Sequence, residues 1–390
     1  MTTKTTQAPP SRRASTGFRS VAAVYLLAML GGTLPVPLYV LWAPAMGFGP
    51  FTTTLIFAVY AIGVVVSLIL FASMSDRSGR RPLMVAALVL VAASTVSFLL
   101  AGNVVMLLVA RVLSGLATGV ITATATAWLE ELGGPRRATV TATAANLGGL
   151  GLGPLVAGLF AQLAPAPTHL VFAVYLATLV PAVLAIALAP ETVDDRRPPV
   201  VIMRRPTVPA GRADLARFAS AAAAVSAGFE VNALFSSLVP GFLHQGLGVT
   251  NQAVAGGVVA VLFLSALLAQ LFAPPRRLSQ HWIAAALLIS GVAVFVAGLW
   301  TRSLAVFVIG TVLAGAGSGL SFRRGLAVTA RLADPRRRAD LNASYFLAAY
   351  AGNIVPTLAL GGLGQLLPLN LATSLLAAVV IAVTALAGRA

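Results

Sequence analysis

The sequence predicts an all-α membrane protein with twelve transmembrane helices in two six-helix pseudo-repeats and both termini in the cytoplasm. Three observations lead there. Of 390 residues, 58% are hydrophobic and only 9% charged, whereas soluble chains carry roughly 25% charged residues. The charged minority collects in alternate links between apolar runs, as membrane topology requires. Short motifs also recur: Gly115 and Gly119 return as Gly315 and Gly319, and Pro135-Arg136-Arg137 returns as Pro335-Arg336-Arg337, each displaced by 200 residues.

A crossing needs about 20 apolar residues. After a cytoplasmic tail at 1–19, that length places the first six spans near 20–42, 51–72, 83–101, 104–127, 138–163 and 169–189, which form the first half. A central linker covers 190–217. The second half, 218–390, holds spans near 218–243, 250–273, 281–300, 304–322, 340–364 and 369–388. The first run imitates a signal peptide ending in Ala43-Pro44-Ala45, but it exceeds the roughly 7–15 residues of a signal core and contains Pro35 and Pro37. It is therefore read as a retained span. The linker mixes prolines with Glu191, Asp194, Asp195, Arg196 and Arg197, a composition that predicts a solvated tether.

The formal charge of +16 raises nucleic-acid binding, and the location of the cations answers it. Every Lys and Arg except Arg111 and Arg302 falls in segments that this topology puts on the cytoplasmic face, so the surplus orients the chain and no nucleic-acid partner is expected. Trp42, Trp128, Trp282 and Trp300 fall at predicted helix ends, the depth that amphipathic rings favour. The chain has no cysteine and three scattered histidines, which excludes disulfides and thiolate metal sites and leaves no metal-ligand spacing. No P-loop, nucleophile elbow or carboxylate pair at one depth is present, so neither an enzyme nor an ATP-driven pump is expected from this chain, and no cofactor.

The link after the second span, Ser73 to Arg81, packs Asp76, Arg77, Arg80 and Arg81 around Gly79. Gly79 permits a tight reversal, Asp76 suits a helix N-terminus, and Arg80 can pair with a carboxylate at the end of span four, for which Glu130 is the candidate. Arg276-Arg277 stand 200 residues after Asp76-Arg77, without the aspartate or the glycine, and Pro37 and Pro240 occupy spans one and seven.

These residues resemble the major facilitator superfamily of secondary transporters over all twelve spans. The link is similar to the family's G-x-L-A-D-R-x-G-R-R signature, matched at Asp76, Arg77, Gly79, Arg80 and Arg81, with Ala72, Met74 and Ser75 replacing Gly, Leu and Ala. Span four looks like the R-x-x-x-G pattern through Arg111 and Gly115. Span five resembles the G-x-x-x-G-P-x-x-G-G pattern of proton-linked drug antiporters through Gly149, Gly153, Pro154 and Gly158, with Ala157 in place of the penultimate glycine. Pro190-Glu191-Thr192 is similar to an ending that sugar porters share. The resemblance implies a cytoplasmic latch, built on Asp76 and the arginines, that favours an outward-facing state.

Glu230 is the only carboxylate placed at mid-bilayer depth. An ionised, unpaired carboxylate there costs several kilocalories per mole, so proton exchange at that depth requires water or a cation nearby. Ser226 and Ser237 share its helical face and Asn232 is close, which suggests a wet cavity. Two readings stand: a proton or cationic-substrate site, or a buried acid bonded to a neighbouring helix. Arg111 either pairs with Glu230 or holds backbone carbonyls at a helix end. Gly149, Gly153 and Pro154 bend span five or simply pack it. Asn342, Tyr345, Tyr350 and Asn353 share a broad side of span eleven, as cavity lining or as interhelical bonds.

Together these features predict proton-coupled export of small amphiphilic compounds by alternating access, with protons, a small-molecule substrate and the bilayer as partners to a monomer. A proton-coupled importer is the alternative, and a non-transporting receptor or scaffold on the same fold is the different class. Lys4 is the single lysine; this arginine bias points to a GC-rich genome and a prokaryotic plasma membrane.

Overall fold

The computed structural model describes residues 12–71, 74–198, 200, 201, 203, 205–274, 281–334 and 337–388. Twelve of its helices are long and apolar enough to cross a membrane: Arg12–Met46, Pro50–Leu70, Arg80–Leu99, Val104–Gly133, Pro135–Leu163, Pro167–Leu188, Arg212–Ser237, Gln252–Phe272, Trp282–Trp300, Leu304–Leu332, Asp340–Leu363 and Asn370–Ala387. They are spans one to twelve below. Among the described residues there is no strand. Lys4, Ala72, Ser73, Arg276, Arg277, Pro335 and Arg336, which the sequence reading used, lie outside the described residues.

Three apolar cores organise the spans, one in the first half and two in the second, the larger of which takes in Val36 of span one, and large apolar side chains such as Val180, Leu188 and Phe272 point outward, as a lipid-facing surface requires. The duplication is visible in detail. Asn103 accepts a hydrogen bond from the Met106 N–H at the start of span four, and Ser303 accepts one from the Val306 N–H at the start of span ten. Gly115 and Gly119 bring span four against Tyr60, Val64 and Ser67 of span two, while Gly315 and Gly319 bring span ten against Leu262 and Ala266 of span eight. A side chain at any of these glycines would meet backbone of the facing helix, so close packing explains the repeated motif.

Span ends differ from expectation where polar residues have protein partners. Span four continues to Gly133 and span ten to Leu332, because helices that pack on neighbours need not stop at the edge of the hydrocarbon. This extension carries Trp128 into the first core, fully buried, with its indole N–H donating to the Pro190 carbonyl at 3.0 Å. Trp42 is also buried, stacked on Phe98 and Phe172. Only Trp282 and Trp300 are exposed as an interfacial belt requires, so helix-end position alone did not distinguish a headgroup ring from a core ring.

Span one is broken. Its helix stops at Thr33, a short 3₁₀ turn spans Val36–Leu38, and helix resumes over Tyr39–Met46. Pro35 and Pro37 lack the N–H groups that would continue the ladder. Span five stays helical through Pro154, which leaves the Leu150 carbonyl without its helical donor. Thr33 of span one fills that place, its hydroxyl donating to Leu150 at 3.0 Å.

The halves meet chiefly through spans five and eight and through spans two and eleven. Gly158 lies against Gln252 and Gly256, Gly361 against Thr54, and the Gln252 N–H donates to Gln162 Oε1 at 3.0 Å. All of these contacts lie toward the span ends remote from the linker. Replacing Thr33 by Val is expected to destabilise the protein by about 1 kcal/mol, the scale of a hydrogen bond between membrane helices, while Thr33→Ser retains stability; reversible unfolding in detergent measures both.

Candidate functional site

The broken span one creates a polar point inside the bundle of the first half. Arg111, 1% exposed in span four, donates from Nη1 to the Gly32 carbonyl at 2.7 Å and from Nε to the Tyr39 hydroxyl at 2.6 Å. The rings of Tyr39, Tyr60 and Phe98 surround its guanidinium at 5.3–5.6 Å, an arrangement that spreads a buried cation over aromatic faces. Its Nη2 has no hydrogen-bond partner. Of the two roles open in the sequence, the geometry has Arg111 holding a carbonyl at a helix end, and among the described residues it forms no ion pair with Glu230.

Beside this point, Tyr60 donates to Thr118 at 3.5 Å and Asn146 donates to the Tyr25 hydroxyl at 2.8 Å. Across the junction between halves, Tyr350 of span eleven stands within electrostatic range of both Tyr25 and Tyr60, its ring edge-on to Phe229. Phenolic and amide groups from spans one, two, five and eleven thus approach one another where the halves face. Tyr345 turns the other way, fully buried, and donates to the Phe322 carbonyl. Asn342 is half-buried.

Glu230 is 4% exposed, and its Oε1 has no hydrogen-bond partner. The expected wet face around it is instead packed in this conformation. Ser226 donates to backbone carbonyls of Ala222 and Ala348, and Ser237 to that of Ala233, because a hydroxyl facing a tightly packed helix finds a carbonyl before it finds water. Asn232 lies on the opposite side, its Oδ1 accepting from Ser318 of span ten at 3.4 Å. Ser226 abuts Gly352, and spans seven and eleven run parallel, so Glu230 one turn on is level with Pro356 and Thr357. Asn353 Oδ1 and Thr357 Oγ1 are likewise buried without a hydrogen-bond partner.

The basic turn is a second polar centre. Arg80, 6% exposed, donates to Ser75, to Asp76 at 2.6 Å, and through Nε and Nη2 to the two oxygens of Glu131. The carboxylate at the end of span four is therefore Glu131 and not Glu130, which is rotated 100° away and exposed. Gly79 holds φ 103°, and Glu191 caps the helix that starts beyond it, accepting the Arg80 and Arg81 N–H groups at 2.9 and 3.0 Å. Arg81 donates to the Ala189 carbonyl, and the Arg77 carbonyl accepts from the Arg197 N–H. Burial pushes the Glu191 carboxyl up, but N–H donors from Arg80, Arg81, Val193 and Thr192 outweigh it and hold the group below the ordinary carboxylate range.

The model of the Major Facilitator Superfamily matches residues 21–277 of the sequence. The chain belongs to that superfamily. Among solved structures, this facilitator resembles a bacterial homolog of the human lysosomal transporter Spinster, in an inward-facing and unoccupied conformation, at 15% identity and a TM-score of 0.72, covering 98% of each chain. It also resembles the human organic anion transporter MFSD10 (TETRAN), at 19% identity and a TM-score of 0.61, covering 97% of this chain and 100% of that one. No curated protein matches it. It is a multi-pass membrane transporter rather than an enzyme.

Within this facilitator the expected antiporter residues divide between two neighbours. Gly149 and Gly153 lie against Leu26, Met29, Leu30 and Thr33 of span one, and Gly158 lies against span eight. Span five therefore wedges between its own half and the other. Sequence reading assigned no role to Glu131 and Glu191 at the basic turn, nor to Tyr25, Tyr39, Tyr60 and Asn146 around the break of span one. The signal for Glu191 was the Pro190-Glu191-Thr192 ending itself, and Thr192 indeed donates to Glu131. Among the described residues, the partners of the basic turn belong to the first half and the linker, so the linker is strapped there rather than being a free tether. Ser344 of span eleven straps it again at the Thr207 carbonyl.

Glu131→Ala should lower stability by roughly 1–3 kcal/mol by leaving Nε and Nη2 of the buried Arg80 without their acceptor, while Glu130→Ala stays within about 0.5 kcal/mol; thermal melts of the two variants compare them. A lowered native carboxyl stabilises above its unfolded value and loses that contribution as pH falls through the native one. The melting temperature should therefore drop on acidification below the usual carboxylate range, and drop less steeply in Glu191→Gln.

Proposed function

We propose that this facilitator exports small amphiphilic compounds in exchange for protons, with Glu230 as the proton-carrying group and the linker end of the bundle in the cytoplasm. One observation carries the reading: a buried carboxyl with an unpartnered oxygen, level with the unpartnered hydroxyl of Thr357 and one turn from the unpartnered amide oxygen of Asn353, inside a bundle whose halves join at the end remote from the linker. Burying a bare negative charge costs several kilocalories per mole, so Glu230 exchanges its proton only when the halves rock and admit water. Alternating access around a site at the repeat interface is the motion that two joined halves permit.

The substrate meets the halves where Tyr25, Tyr60, Asn146 and Tyr350 approach one another, a mostly neutral aromatic and amide surface suited to amphiphiles. Glycine contacts between span five and spans one and eight give the rocking motion a rigid pivot. The basic turn, bound to the linker in this state, stabilises the first half as a unit, and release or re-engagement of its arginines accompanies the outward-facing state. The plasma membrane of a prokaryote is the proposed location.

In inverted membrane vesicles energised to an acidic lumen, amphiphilic dyes such as ethidium should accumulate and dissipate the gradient. Glu230→Gln should abolish both effects while gradient-free exchange persists. Dissipation that survives the substitution would remove Glu230 as the proton carrier, and substrate leaving the acidic lumen together with protons would identify an importer.

A further inference from the structure

A cavity of about 260 Å³ opens at the linker end of the second half, between spans seven, nine, ten and twelve. Arg217, Arg324, Ser220, Ser321 and Thr384 supply its polar lining. A second cavity of about 220 Å³ adjoins it, lined by Leu268, Phe272, Leu287 and Leu320 of spans eight, nine and ten. The two share Ala284 and Arg324. One side of Arg324 is thus a hydroxyl-bearing, doubly basic pocket, and the other is an apolar groove bordered by Phe272, which is 77% exposed.

The charges of this pocket are not balanced. Asp214 pairs with Arg217 at 3.1 Å, while Arg324 forms no hydrogen bond or ion pair among the described residues. The adjacent Arg323 turns its Nη1 to the backbone carbonyls of Gln270 and Ala273 at the end of span eight. Helix geometry turns Arg324 100° away from that contact and into the cavity. Nor does the fold require an arginine there: the duplicate position in the first half is Thr124, buried in the packing of that half.

We infer that this compound cavity binds an anionic phospholipid, its phosphate held by Arg324 and Arg217 and one acyl chain laid in the groove beside Phe272. Charge selects the headgroup. A guanidinium without a carboxylate partner, at a membrane-interface depth, attracts a phosphodiester and repels nothing in it, whereas a zwitterionic headgroup brings its own cation into a site that already carries two. Continuity selects a lipid over a free anion, because the polar pocket opens sideways into an apolar groove that a soluble ion has no means to fill. The same lipid touches spans seven, nine, ten and twelve at once, so it ties the linker end of the second half together much as Glu131 and Glu191 tie that of the first.

The test uses the full chain in detergent. Thermal shifts and native mass spectrometry are read with short-chain phosphatidylglycerol, short-chain phosphatidylcholine and inorganic phosphate. The wild type should hold phosphatidylglycerol about tenfold more tightly than phosphatidylcholine. Arg324→Gln should erase that preference, and so should Ala285→Leu, which fills the polar pocket without changing its charge; Arg302→Gln, at the far end, should leave it intact. Equal retention of the two lipids by the wild type would overturn the assignment, as would a preference that survives both pocket variants. Inorganic phosphate that displaces phosphatidylglycerol and reproduces its thermal shift would also overturn it, in favour of a soluble-anion site. If Arg324→Gln does not fold, the Ala285→Leu comparison decides alone.

Discussion

Within a bilayer no solvent rescues a backbone group that leaves its helix, and this constraint organises the facilitator from end to end. At two interruptions of the helical ladder in the first half, a side chain from a neighbouring span replaces the missing partner. Arg111 takes the Gly32 carbonyl at the break of span one, and Thr33, at that same break, takes the Leu150 carbonyl freed by Pro154. At the linker end, Trp128 and Arg81 take the carbonyls of Pro190 and Ala189, while Glu191 accepts two N–H groups that start span three. Each irregularity is thereby also a joint between spans.

Those joints explain why each half holds together as a body while the contact between the halves differs in kind. Inside the first half, charged and hydroxyl side chains bridge spans one to six and the start of the linker. Between halves, by contrast, close contacts are made by glycines of spans five, eight and eleven, with a hydrogen bond from the Gln252 N–H to Gln162. Surfaces of that sort slide and pivot without leaving charges stranded. The functional reading of Glu230 depends on such movement, since in the present conformation its unpartnered oxygen is enclosed.

Much of the architecture was legible because bilayer thickness and charge placement are blunt constraints. Twelve spans, their order and the duplicated glycine motifs followed from run length, loop charge and a fixed displacement. The helix ends were less legible: spans four and ten outrun their apolar segments because packed polar residues substitute for the aqueous boundary. Trp42 and Trp128 have the positions of interfacial rings but the surroundings of core ones. At the candidate site, Arg111 and Glu230 were identifiable as charges that do not belong in hydrocarbon, and Tyr350 only as one of a polar side of span eleven. Their partners were not, because a choice between Glu130 and Glu131 turns on 100° of helix rotation, and the commitment of Ser226 to Ala348 turns on which helix stands opposite.

By itself the sequence determined that the chain crosses a membrane twelve times as a duplicated bundle, since hydrophobic length and the distribution of arginine depend on composition along the chain alone. The tertiary structure alone decided which polar groups are satisfied: Arg80 by Glu131, Gly32 by Arg111, Leu150 by Thr33, and Glu230 Oε1 by none of the described residues. Hydrogen bonds are short and directional, so they depend on the rotation and register of packed helices, which no one-dimensional pattern specifies.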